Sequence, residues 1–382
     1  MNEDTFDTLH DFAVVGAGIA GASVAWRLAA SDAKVVLLER ESQPGYHSTG
    51  RSAAMFMESY GTAAIRALTR ASRAFYESPP AGFTGEPLLA PRGALYIASH
   101  GQEQLLKDMY TELAGNAGNV RLVEPAEALA MVPVLRGELL HGAILEDDAQ
   151  DIDVNALHQG FLRGVRARGV SLVTNADLVA ARREDGQWRL TLGDGRELRA
   201  RHVVNAAGAW ADTVAATCGV RPVGLEPRRR TAFTFDAPEG MDIHAWPTVC
   251  SVDESFYFKP DAGRLLGSPA NADPVHPHDV VAEEFDVALG IHRIEETTSL
   301  RIRRPASTWA GLRSFVPDGD LVVGWDGAAE GFFWLAGQGG YGIQSAAAVS
   351  ELAAAQLLHL ATPEHILAQG LDPAAISPQR LR

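Results

Sequence analysis

The 382-residue chain is poor in the features that define several large classes of function. Two cysteines, Cys218 and Cys250, are too few for a disulfide framework, so a reducing compartment is expected and both thiols read as small core residues. Lysine is nearly absent, with only Lys34, Lys107 and Lys259 among the 33 basic residues. The formal net charge of −15 argues against nucleic acid as a partner and offers no basic surface to anionic lipid. No apolar run approaches the ~18 residues of a membrane-spanning helix. The acidic start, Met1 to Asp11, lacks the apolar core of an export signal. A soluble cytoplasmic protein is expected, with peripheral contact to the inner membrane still compatible. There is no Walker loop, no Cys-x-x-Cys pair and no Gly-x-Ser-x-Gly elbow. His276-Pro277-His278 with Asp279 has metal-ligand residue types, but it lies in polar loop sequence and completes no closed shell, so no metal is expected.

What is present is concentrated in glycine and short strand-like runs. Phe12 to Ser23 reads F-A-V-V-G-A-G-I-A-G-A-S, and Glu39 closes a second apolar run, V-V-L-L-E. Strand, glycine turn, helix, strand and acid follow in the order of a dinucleotide-binding fingerprint. Gly16 allows the tight turn, Gly18 lets backbone approach a pyrophosphate, and Gly21 lets helix pack on strand. Ile19 and Ala20 begin the helix whose free N–H groups favour that anion. Glu39 suits a ribose diol, and Arg40 follows it.

The organisation beyond this unit is α/β, with a Rossmann-like nucleotide domain and an inserted, strand-rich α+β domain. Helices are expected at Ile19–Ala30, Ala63–Tyr76, Gln102–Leu113, Pro125–Met131, from Asp153 through Arg168, and from Ile343 to Leu360. A β-meander is expected over Leu178–Arg183, Gln187–Leu192 and Glu197–Arg201, with a separate buried strand at 203–208. From Arg228 to Arg304 the pattern reads as strands. Residues 1–80, 146–218 and 308–382 would form the nucleotide domain, and 81–145 and 219–307 the substrate domain.

The fingerprint alone leaves NAD and FAD open. Three features favour the flavin: the glycine motif lies at the start of the chain, a β-meander interrupts the later nucleotide segments, and the polar loop at 45–54 could wrap a long buried cofactor. The run Gly337-Gln338-Gly339-Gly340-Tyr341-Gly342 would open a helix toward the flavin pyrimidine.

With those blocks in view, the whole chain resembles the D-amino acid oxidase family of flavoproteins, and within it the bacterial D-arginine dehydrogenase branch. The resemblance is carried by V-V-G-A-G-I-A-G-A-S, E-R-E-S-Q-P-G-Y-H-S-T-G-R-S-A-A, V-V-N-A-A-G-A-W, D-E-S-F-Y-F-K-P-D-A-G, T-W-A-G-L-R-S-F and the glycine run at 337–342. It implies FAD and oxidation of an α-amino acid by hydride transfer from Cα to flavin N5, followed by hydrolysis of the imino acid to a 2-oxo acid and ammonia. It implies that Arg230 and Arg313 grip the substrate carboxylate, that Tyr257 and Tyr60 add hydroxyls, and that the Gly340 carbonyl accepts from the amine. Cofactor contacts would come from Ser48, Thr49, Gly50, Ser52, Ala53, Ala54, Leu178, Ala207, Gly208, Trp210, Gly339, Gly340, Tyr341, Gly342, Ile343 and Gln344, besides the fingerprint residues. Without the surrounding motifs, each arginine would read as a surface charge and each tyrosine as a core aromatic. That remains the reading for Arg228 and Arg229.

The sequence departs from that branch where the side chain of the substrate would lie. Ala94 replaces an acid that would pair with a guanidinium, and Met55 replaces a histidine, with Met57 beside it. A buried cation without a counter-charge is costly, so neutral or apolar D-amino acids are expected rather than D-arginine. Restoring an acid at Ala94 would be expected to favour D-arginine. Glu58 reads as a solvated carboxylate, unless it points inward. The lysine that sarcosine-oxidase relatives place beside the flavin falls at Leu265, and neither cysteine matches a flavin tether. Non-covalent FAD and electron transfer to a quinone or another carrier are therefore expected. An FAD oxidase of sarcosine, glycine or another small amine, and a non-catalytic flavin-binding electron-transfer subunit, are the alternatives.

Overall fold

A computed structural model describes residues 4–115 and 119–382. Leu9–Val15 is the hub of its first sheet. It pairs in parallel with Val35–Leu38 on one side and with Glu197–Asn205 on the other. Ser171–Val173 extends the sheet in parallel beyond Val35–Leu38. Side chains alternate across the hub. Phe12 and Val14 join a core with helices Ile19–Leu28 and Ala346–Leu357, while Ala13 and Val15 join a second core on the opposite face. Both faces are covered, which is why these strands read as continuous apolar runs.

Glu197–Asn205 is one nine-residue strand, where the sequence suggested a meander strand and a separate buried one. Its first half pairs antiparallel with Gln187–Leu192, and its second half pairs in parallel with Phe332–Ala336. The change of partner along one strand explains the change of pattern.

The second sheet has nine strands among the described residues and is built from two separated stretches of chain. Ala94–Ser99, Val120–Val123 and Leu140–Glu146 come from the first stretch. Glu226–Phe235, Thr248–Ser251, Tyr257–Asp261, Arg264–Ser268 and Asp273–Pro274 come from the second. Ser307–Phe315 is hydrogen-bonded along Glu226–Phe235, so the boundary at 308 falls inside a strand of this sheet. One face packs Phe233, Phe258 and Leu265 into a core that includes Val287 and Ile294 of helix Glu284–Thr297. The sequence reading missed that helix, although Val287, Ile291 and Ile294 recur at helical spacing. The opposite face carries Ala94, Tyr96 and Ile144 and packs on Met57.

A small third sheet joins Met55–Phe56, Leu89–Pro91 and Gln150–Ile152. Helix Ala63–Glu77 starts where the Thr62 hydroxyl accepts the Ile65 N–H. The C-terminal helix begins at Ala346, not at Ile343, because residues 340–345 form successive turns. Among the described residues no helix is long and apolar enough to cross a membrane.

Candidate active site

One cleft of about 500 Å³ runs from the glycine fingerprint to the face of the second sheet, a size in the usual range for a ligand site. At one end it is lined by Gly16, Gly18, Ile19, Ala20, Glu39 and Arg40. A Cβ on Gly16 would stand 2.5 Å from the Ala206 carbonyl oxygen, and its φ of +99° suits glycine alone. A Cβ on Gly21 would stand 1.7 Å from the Gly16 oxygen, so Gly21 serves helix packing and does not line the cleft. Glu39 is buried, and burial raises its pKa. Its two oxygens accept the Ala17 and Glu41 N–H groups, each at 2.9 Å, and a carboxylate has lone pairs left for a diol. The Ile19 N–H is already capped by the Thr49 hydroxyl at 3.0 Å.

The 45–54 loop bridges helix Ile19–Leu28, through Thr49, and the second sheet. Ser48 donates to the Leu312 carbonyl at 2.7 Å, and Arg51 donates to the Val280 and Ala310 carbonyls. Ser48, Thr49, Ser52 and Ala53 line the cleft, but Gly50 and Ala54 do not. The Gly50 N–H is turned back to the Gly45 carbonyl. Leu178, Ala207, Gly208 and Trp210 line the middle of the cleft, where Arg40 stacks on Trp210 at 4.1 Å from the ring centre. His47, Asp177 and Thr213 also line it and were not singled out from sequence; they flank recognised blocks without a motif of their own.

At the far end Arg230, Tyr257, Arg313, Gly339, Gly340, Gly342 and Ile343 come together. Arg230 lies opposite Gly311 in the strand pairing, so Arg230 and Arg313 are diagonal neighbours on one face. Arg230 donates to the Asn271 carbonyl at 2.7 Å, and Arg313 donates to the Tyr60 hydroxyl at 3.0 Å. Neither guanidinium has an ion-pair partner among the described residues. Burial, then the Arg313 charge, lowers the Arg230 pKa. Two cations gathered at one end of the cleft, with no carboxylate paired to either among the described residues, make an anion receptor. Arg229, one residue away, points to the other face and pairs with Asp286 at 2.9 Å and with Glu283 and Asp273. Arg228 is half-buried and pairs with Glu226.

Several expected contacts fall elsewhere. Neither Tyr341 nor Tyr60 lines the cleft; their rings lie 4.8 Å apart, and Tyr60 meets the site through its bond from Arg313. Gln344 is buried and bonds the Thr69 hydroxyl at 2.9 Å, so it holds protein rather than facing the cleft. Met55, Met57 and Ala94 belong to an apolar cluster with Tyr96, Ile144 and Val252, bordered by Tyr60 and Cys250, and do not line the cleft itself. Ala94 is fully buried within the sheet, between Thr248 and Glu146. Glu58 is neither solvated nor free. It is buried, and Arg73 donates to it at 2.7 Å. Leu265 points into the core on the far face of the sheet. Lys259, two residues from Tyr257, pairs with Asp151 at 2.5 Å. Cys218 and Cys250 line no part of the cleft, and burial pushes both thiols up to about 12.

His276 and His278 do not gather ligands. Among the described residues, His100, Glu103 and His141 do bring ligand atoms within 4.8 Å of one another. All three are exposed and lie outside the cleft, and Glu103 already accepts the Gly101 N–H at 2.9 Å.

The sequence model of the DAO family, described as FAD dependent oxidoreductase, matches residues 11–356. A glycine oxidase of Bacillus licheniformis is 24% identical over 367 residues, covering 91% of this chain and 93% of that protein. A mitochondrial dimethylglycine dehydrogenase of Rattus norvegicus is 24% identical over 260 residues, covering 67% of this chain but only 30% of that larger protein. The crystal structure of glycine oxidase from Geobacillus kaustophilus superposes with a TM-score of 0.83 at 23% identity, covering 97% of this chain and 98% of that one.

Proposed function

The chain belongs to the DAO family of FAD dependent oxidoreductases, and from that premise we propose that it is a dehydrogenase of neutral D-amino acids. The residues present suit FAD: glycines that no side chain could replace, a helix that starts on Gly18 with no side chain of its own at the cap, an acid at Glu39 and a cleft long enough to reach the second sheet. When bound, FAD supplies the two-electron acceptor for oxidation of an amine to an imine, which water then hydrolyses to a 2-oxo acid and ammonia. The protein's part is to bind and orient.

The observation that carries the reading is the unpaired couple of Arg230 and Arg313 at the end of the FAD cleft. They hold the substrate carboxylate, with the Tyr60 and Tyr257 hydroxyls beside them. The Gly340 carbonyl takes a hydrogen bond from the amine and so orients its lone pair and the adjoining C–H bond. The neighbouring apolar cluster favours a neutral side chain. Its two buried carboxyls are committed, Glu58 to Arg73 and Glu146 to backbone N–H groups. Glu254 is felt by Arg230 but sits on an exposed turn, where solvent screens it. Lys259 is tied to Asp151, which supports a carrier such as a quinone as electron acceptor, and the two cysteines lie away from the cleft, which supports non-covalent FAD.

The names of two relatives, glycine oxidase and dimethylglycine dehydrogenase, favour a second reading: a small amine such as glycine or sarcosine, held by the same arginine couple. Turnover of D- and L-amino acids, glycine and sarcosine, followed in parallel by dye reduction and by peroxide release, separates the two. Dye reduction with neutral D-amino acids supports the dehydrogenase. Faster turnover of glycine, sarcosine or L-enantiomers, or stoichiometric peroxide at turnover speed, overturns it.

A further inference from the structure

The segment Met57–Tyr60 hangs between two buried polar side chains. On one side Gln344 accepts the Met57 N–H at 3.4 Å and reaches the Tyr60 carbonyl at 3.5 Å. On the other side stands Glu146, 1% exposed, at the end of strand Leu140–Glu146. One of its oxygens accepts the Glu58 N–H at 2.7 Å and the Ser59 N–H at 3.3 Å. The other accepts the Ser59 hydroxyl, which also shares a hydrogen bond of 2.9 Å with the Tyr96 hydroxyl. Among the described residues no cation lies within ion-pair distance of this carboxyl. Burying a carboxyl without a cation is unfavourable. All three of these bonds serve the segment that carries Tyr60, and the Tyr60 hydroxyl accepts from Arg313 at 3.0 Å.

We propose that Glu146 is a positioning residue for the substrate site: its carboxyl group clamps the backbone at Glu58–Ser59 and thereby fixes the Tyr60 hydroxyl against Arg313. The inference rests on the reading of Arg313 as an anchor for the substrate carboxylate.

The titratable groups that face Glu146 are Tyr96 and Cys250 from the strands beyond it and Asp148 from the turn after its own strand, with Tyr60 acting on Tyr96. Arg121, across the sheet edge, is engaged with Glu127 and Asp147. Burial pushes Glu146 up to about 7, against the pull of the Ser59 hydroxyl and the two amides. Burial also raises Tyr96 and Cys250, so both stay neutral there. As a carboxylate, Glu146 must receive the Ser59 hydrogen. As a carboxylic acid it donates to Ser59, which then turns toward Tyr96. The amide bonds persist in both states, and Gln reproduces the neutral one.

The test titrates the FAD-loaded enzyme with benzoate, read from flavin absorbance between about pH 6 and 8, alongside steady-state kinetics. Glu146→Ala is expected to raise the benzoate Kd and the substrate KM about tenfold at unchanged FAD content, with kcat changed less. Glu146→Gln is expected to restore binding to within about threefold and to remove a step near pH 7 from the Kd profile. Benzoate binding by Glu146→Ala within twofold of wild type, or a wild-type pH step in Glu146→Gln, overturns the proposal. Should Glu146→Ala lose FAD, Ser59→Ala carries the same titration, with about a threefold rise expected and none contradicting the clamp. A wild-type enzyme that neither binds benzoate nor oxidises an amino acid sinks the reading of Arg313. Hydrogen exchange at the Glu58 and Ser59 amides, expected to accelerate in Glu146→Ala, judges the clamp separately, and unchanged exchange contradicts it.

Discussion

Gly340 and Arg313 are packed so closely that a Cβ on Gly340 would stand 3.0 Å from both Cζ and Nη1 of the guanidinium. The requirement for glycine at 340 is one of space, since its backbone is not in the left-handed region. Gly340→Ala should therefore displace Arg313 and weaken its bond to Tyr60 while FAD stays bound. A fall in kcat/KM of about tenfold, equivalent to about 1.4 kcal/mol, is expected from steady-state kinetics. Unchanged kinetics would separate Arg313 from the substrate.

Adjacent arginines on one strand should behave in opposite ways. Arg229→Met strands the buried Asp286 and should lower folding stability by about 3 kcal/mol, seen as a reduced Tm, with little change in KM for the protein that remains folded. Arg230→Met should leave Tm close to wild type and raise KM by about 100-fold, about 2.7 kcal/mol of binding.

The raised pKa of Glu146 gives stability a definite pH dependence. Folded protein binds this proton more tightly than unfolded chain, so the contribution falls as pH rises from the ordinary value of 4.5 to about 7 and is flat outside that window. Over the window, wild type should lose about 3 kcal/mol relative to Glu146→Gln, as an upper limit from 1.36 kcal/mol per unit. Denaturant unfolding of both proteins across this range checks the sign. A wild type that gains relative stability toward neutral pH would contradict it.

Ala94→Glu tests the geometry of the apolar cluster. The sequence suggested that an acid there would recover D-arginine. The strand pairing places Ala94 directly opposite Glu146 and leaves it no exposure. The substitution should bury a second carboxyl against the first and destabilise the fold by about 3 kcal/mol, without improving D-arginine turnover. Thermal unfolding and a comparison of D-arginine with D-leucine check both parts.

The nucleotide half of the fold was legible because its residues have few alternatives. Gly16 must adopt φ +99°, Gly21 must let helix approach strand, and Glu39 must end a buried strand. The pairing of Arg230 with Arg313 was legible only through resemblance, because the strands that join them are 73 residues apart at their nearest register. Glu146 was missed although it ends an apolar run, G-A-I-L-E, much as Glu39 ends V-V-L-L-E. Its partners are backbone amides almost 90 residues away, and no side-chain pattern marks those. Helix Glu284–Thr297 was obscured by the exposed Phe285, which breaks its apolar stripe.

Anaerobic mixing of the FAD-loaded enzyme with neutral D-amino acids and with their decarboxylated amines, followed by flavin absorbance, tests the central claim most directly. The arginine couple predicts rapid bleaching by the amino acids, none by the amines, and loss of bleaching in Arg313→Met with the flavin retained. Equal bleaching by amines, or full bleaching in Arg313→Met, would contradict it.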